Sequence, residues 1–200
     1  MQAFLAEQSR RFGLRVWLSA GLCRPFLISD VEGAKSAQDW QLVAQTMAEE
    51  ATGVDGPCEV WLDRVPAAPR LAVAMRSDAK REIIDALGTH LLSLRPWWSE
   101  VLRQQARLRK DTSAIAIIDC EAVTLLLSEP SSEAAWICAR SSSVDTATGD
   151  DAQAAINRLL MTTEWSGEEP ISAQLSAIGA NRQERNSDAK QHAVFVGNLA

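Results

Sequence analysis

The sequence predicts an α/β protein with three layers and a mixed sheet. Three observations carry that expectation. Short apolar runs recur along the chain and are too brief for helices. Longer segments between them carry apolar residues at helical spacing, with caps and stops at their ends. A strand meander followed by helix–strand units is the order that layers helices onto a partly parallel sheet.

The elements follow in order. "LRVWLSAGLCRPFLIS" holds two apolar runs, Leu14 to Ser19 and Cys23 to Ser29, around Ala20, Gly21 and Leu22. This reads as a hairpin. "SAQDWQLVAQTMAEEATG" places Trp40, Val43, Ala44, Met47 and Ala51 on one helical face, with Gly53 as the stop. "CEVWLDR" alternates apolar and polar residues as a half-buried strand does, and Pro66 and Pro69 break the chain after it. "RLAVAM" is a short buried strand. Ser77 is expected to cap a helix whose stripe is Ala79, Ile83, Ile84 and Leu87, ended by Gly88. "LLSLRP" is another strand, and Pro96 opens a helix, "WWSEVLRQQARLRK", with Trp98, Val101 and Leu102 expected on its inner face. Three strands follow in "AIAIID", "VTLLLSE" and "AAWICAR". A helix over "DAQAAINRLLMTTEW" has the stripe Ala152, Ile156, Leu159, Leu160 and Thr163, and Asp150 and Asp151 suit its N-terminal dipole. "PISAQLSAIG" is strand or mixed, "ANRQERNSDAKQ" is a polar stretch, and "HAVFVGNLA" closes as a buried strand.

Composition excludes several classes. An apolar share of 46% fits a folded chain of 200 residues rather than a disordered one. The net charge of −6 opposes a nucleic-acid groove, and the basic cluster from Arg103 to Lys110 reads as a solvated helix end. The four cysteines, Cys23, Cys58, Cys120 and Cys138, form no C-x-x-C pair, so no zinc site is expected. They read as buried free thiols in a reducing compartment. The N-terminus lacks a signal-peptide core, and no apolar run approaches the ~20 residues of a membrane helix. Both point to a cytoplasmic protein. His90 and His192 read as surface residues, and no nucleophile elbow, P-loop or dinucleotide fingerprint is present.

The two halves share an order of elements: a strand pair, a helix and a further strand. "VWLSAGLCRPFLIS" before the helix at Trp40 parallels "LLLSEPSSEAAWICAR" before the helix at Ile156. The second half has an extra leading strand, "AIAIID". The expected division is therefore 1–110, a repeat lacking its leading strand, and 111–200, a second repeat.

From "IIDCEAVTLLL" and "AVFVGNLA" the second half resembles that of an actin-like, ribonuclease-H-like fold. More narrowly, it is similar to the actin-like assembly proteins of bacterial type IV pili and to the cytoplasmic L component of type II secretion. The earlier passage from "LAVAM" to "WWSEVL" resembles the family's strand, helix, strand, helix. The resemblance covers about 70 to 200. It implies two such repeats, the first incomplete. It places Asp119 and Thr124 at the family's phosphate hairpin and Gly197 at its adenosine turn.

The chemistry of that site reads as altered. A phosphate-binding turn needs small residues so that backbone N–H groups can approach. Here Cys120 adds bulk and Glu121 adds a like charge beside Asp119. The expected function is a non-catalytic scaffold without cofactor or metal, acting through protein contacts in pilus or secretion assembly. Its partner would be a protein, a membrane-associated assembly component being one option and a homodimer another. The alternative is an actin-like ATPase or phosphotransferase binding Mg-ATP between the repeats through Asp119, Glu121, Thr124 and Gly197. A third is an unrelated regulatory domain with a small ligand between the repeats. On the bland reading Asp119 merely ends a buried strand in a solvated turn. Trp97 and Trp98 are two of seven tryptophans in a chain without tyrosine. Adjacent on a helix, they diverge by about 100°. One is expected inside, with the other outside or under a loop, where it would serve as a partner anchor; alternatively both are covered within the fold.

Overall fold

The computed structural model describes residues 13–63, 69–101, 114–119, 121–128, 136–144 and 149–163, together with 171–174 and 191–196; at 136, 149–151, 171–174 and 191–196 it describes the backbone alone. The elements are β1 (Gly13–Leu18), β2 (Cys23–Ile28), α1 (Ala37–Thr52), β3 (Cys58–Leu62), β4 (Arg70–Arg76), α2 (Ser77–Leu87), β5 (Leu91–Pro96), β6 (Ala114–Ile118), β7 (Ala122–Ser128), β8 (Trp136–Ser143), α3 (Gly149–Met161), β9 (Ile171–Gln174) and β10 (Gln191–Val196). A helical segment also begins at 97 and is described to 101.

The strands form three ladders in the orders β10-β1-β5, β2-β4-β3 and β8-β7-β6-β9. The first is parallel and the second antiparallel. The third is mixed, since β6 pairs antiparallel with β7 and parallel with β9. The hairpin expected from Leu14 to Ser29 does not form. A strand has two edges, and those of β1 are taken by β5 and β10. Past the turn, β2 therefore joins β4 in another sheet.

Side-chain alternation sorts the strands into layers. On β4, Ala72 and Ala74 face α1, with Phe26, Ile28, Trp40, Ala44, Ala48 and Val60. Its other face, Leu71, Val73 and Met75, enters a central core. The sheet of β6 to β8 repeats the pattern. Ala116, Val123 and Leu125 face α3 through Ala152, Ala155 and Ile156, while Ile115, Ile117, Ala122 and Leu126 turn to the central core. In both sheets alanines lie under the helix, so the backbones can approach closely. The central core also holds Leu14, Val16 and Leu18 of β1, Ile83 and Leu87 of α2, and Trp98. Residues from the early and middle parts of the sequence, Leu14 to Ala139, thus share one apolar interior.

Local details correct several expectations. Ala51 is exposed and Ala48 is buried in its place. Ser77 is the first residue of α2 rather than its cap, and Arg76 at the cap position makes no side-chain capping bond. Instead the Asp78 carboxylate accepts from Ala79 N at 2.7 Å. Ile84 lies 40% exposed, leaving Ile83 and Leu87 as the buried stripe. Both tryptophans pack against the central core. Trp98 is 5% exposed and Trp97 is half-buried. An apolar helical stripe is about 100° wide or more, enough to take two adjacent residues when the core curves around the helix. Trp98 is therefore the core residue that its inner-face spacing predicts, and Trp97 lies against the same core.

Candidate functional site

Asp119 follows β6 at the start of the turn into β7. Its own N–H donates to Ala122 O at 2.9 Å, closing the turn. Its Oδ1 accepts from Glu121 N at 3.0 Å and Ala122 N at 2.8 Å. This is the local bonding that short acidic side chains favour. Two further donors come from the turn after β1: Ser19 Oγ reaches Oδ1 at 3.0 Å, and Ala20 N reaches Oδ2 at 2.9 Å. Asp119 is 4% exposed and Ser19 fully buried. The solvated turn of the bland reading is thus a buried junction between two turns.

The β1 turn is itself closely tied. Ser19 Oγ accepts from Gly21 N at 3.0 Å, and Ser19 O accepts from Leu22 N and Cys23 N, each at 3.0 Å. Cys23 Sγ donates to Ser19 O at 3.2 Å. Burial pushes the Cys23 thiol well above its usual pKa, and the Asp119 charge pushes it further. Both effects favour the neutral thiol, so Cys23 is a poor nucleophile.

The other sequence-predicted residues are placed differently. Thr124, 1% exposed, lies on β7 opposite Ser141 of β8, with 3.1 Å between the hydroxyls. Glu121 is half-buried; its N–H serves Asp119 and its carbonyl accepts from Val144 N at 2.9 Å. Gly197 and Cys120 lie outside the described residues. Among the described residues, no group of three or more His, Cys, Asp and Glu is placed to hold a metal ion. Cys23, Cys58 and Cys138 are free thiols. Sequence reasoning passed over Ser19 and Ala20 as functional residues. Their one signal was the small size of Ser19-Ala20-Gly21 after a buried strand.

No protein-family model and no curated protein matches the chain. Among solved structures it is similar to a protein of Bacteroides thetaiotaomicron VPI-5482 with an actin-like ATPase fold and unknown function. The TM-score is 0.55 at 9% identity, over 86% of this chain and 65% of that one. This chain has an actin-like fold. A PilM–PilN type IV pilus biogenesis complex overlaps more loosely, with a TM-score of 0.46 at 17% identity, over 82% of this chain and 51% of that one. The chain thus spans less than two thirds of either structure. The actin-like fold expected from "IIDCEAVTLLL" and its neighbours is the one found. No described helix is long and apolar enough to cross a membrane.

Proposed function

We propose that this chain is a non-catalytic actin-like protein that works through protein contacts. In this reading it comprises two ribonuclease-H-like repeats, 1–110 and 111–200. One observation carries the proposal: the Asp119 carboxylate is buried, 4% exposed, and held by donors from within the chain. A carboxylate offers about four lone-pair sites. Ser19 Oγ, Glu121 N and Ala122 N crowd Oδ1, and Ala20 N takes Oδ2, all within a buried junction. Magnesium needs carboxylate oxygen open to it and keeps several waters of its own, and a phosphate would meet the Asp119 charge directly. The shared apolar core gives further support, because Ile115, Ile117, Ala122 and Leu126 pack with Leu14, Val16 and Leu18.

The sequence resemblance puts this activity in pilus or type II secretion assembly, at the cytoplasmic face, with a membrane-associated protein as partner. Calorimetry of the full chain against Mg-ATP tests the non-catalytic reading. No binding heat is expected up to millimolar nucleotide, and micromolar binding would overturn the reading. Co-expression with membrane components of pilus or secretion machinery tests the setting. Retention of one component on the tagged chain is expected, and retention of none counts against that setting.

A further inference from the structure

We propose that the Ser19–Gly21 turn is an anion-receiving turn, and that Asp119 occupies it as a built-in ligand latching the β1 turn to the β6–β7 turn. Ser19 Oγ and Ala20 N converge on one carboxylate from 100 and 99 residues away along the chain. Gly21 N donates to Ser19 Oγ, which leaves the hydroxyl hydrogen to point at Asp119. A hydroxyl and a backbone N–H converging in this way are the donors with which turns bind small anions. Asp119 is held from its own side as well, by Glu121 N and Ala122 N. One buried carboxylate therefore bridges the two turns, beside the apolar core that Ala20 and Ala122 share. Hydrogen bonds to a charged group are stronger than neutral ones, and losing a buried partner strands the donors that remain. The latch sets the relation of the two turns without an external ligand. It rests on the same Asp119 contacts as the non-catalytic reading, and formate rescue and nucleotide calorimetry tell failure of the one from failure of the other.

The test uses the full chain and sodium formate, the smallest carboxylate. Asp119→Ala removes the anion and leaves space for formate. The variant is expected to melt roughly 5–10 °C below the wild type. Formate should restore about half of that loss saturably, whereas sodium chloride at equal ionic strength should not, and the wild type should be unmoved by formate. Equal effects of formate and chloride on a folded Asp119→Ala chain would overturn the latch. If Asp119→Ala does not fold, a cycle of Ser19→Ala and Asp119→Asn replaces it. The latch requires the double variant to lose clearly less than the summed single losses; additive losses reject it.

Discussion

Cys23 and Asp119 share a small buried space, and each shapes the other's chemistry. The thiol donates to Ser19 O, the same residue whose hydroxyl serves the carboxylate. Desolvation, then the Asp119 charge, raises the Cys23 pKa. Burial also raises Cys138, against the opposing pull of Arg140. Cys58 is shifted upward by partial burial and by Glu49, with Arg76 opposing. Among the described thiols, site-resolved alkylation of the native chain at pH 8 should therefore modify Cys58 first, Cys138 more slowly and Cys23 last. Rapid labelling of Cys23 would mean that the junction opens readily. At this scale Asp119 stood out as an acid ending a buried strand, but its burial was not legible, because the donors that enclose it come from the β1 turn. Ser19 did not stand out, because nothing in a local window announces a hydrogen bond across 100 residues. The burial of Trp98 was legible from helical spacing, whereas the packing of Trp97 beside it depends on how the core curves around the helix.

Helix α1 shows how far local chemistry reaches. Ser36 Oγ accepts from Asp39 N at 3.1 Å, and the Asp39 carboxylate accepts from Ser36 N at 2.7 Å, a reciprocal capping box. Gly53 ends the helix at φ 63°, where a side chain would be strained. Ser36→Ala should cost about 1 kcal/mol in urea unfolding at neutral pH. The Asp39 carboxyl titrates below its usual range, held down by the Ser36 backbone N–H, then the Ser36 hydroxyl and Lys35 N. A lowered folded pKa stabilises above the unfolded value of about 3.9 and is lost as pH falls through the folded value. Asp39→Asn should thus be less stable than the wild type at pH 7, and the gap should close in acid. A gap of constant size down to pH 2 would show that the Asp39 charge plays no part. The same helix guards a sheet edge: Gln41 Nε2 donates to Val60 O at 2.9 Å and Gln45 Nε2 to Cys58 O at 3.3 Å. Carbonyls of β3 that face away from β4 are then occupied rather than offered to another strand. Most elements were legible because caps, stops and periodicity act within a few residues. The β1–β2 hairpin was misread because pairing depends on which edges remain open, and β5 and β10 arrive from far along the chain.

Across the whole molecule the central core joins early and late residues. Leu14, Val16, Leu18 and Met75 share it with Ile115, Ile117, Leu126 and Ala139, and the β1–β10 ladder runs from Gly13↔Gln191 to Leu18↔Val196. Each half alone would expose apolar surface that the other covers, a loss that scales with the area returned to water. Urea unfolding followed by tryptophan fluorescence and by circular dichroism should give one coincident transition. Residues 1–110 and 111–200, expressed separately, should lack the near-ultraviolet signal of a packed core. Two resolved transitions, or a well-packed isolated half, would contradict a shared core.

The sequence by itself determined the class of this protein, the place of nearly every element and the actin-like order of its second half. Those properties rest on short-range periodicity, capping and turn chemistry, which a linear chain displays directly. Only the tertiary structure decided which strands pair with β1, that both indoles lie against one core, and that Asp119 is spent on Ser19 and Ala20. The reason is physical. An edge, a core face or a carboxylate lone pair can be filled only once, and what fills it is settled when distant segments meet in space.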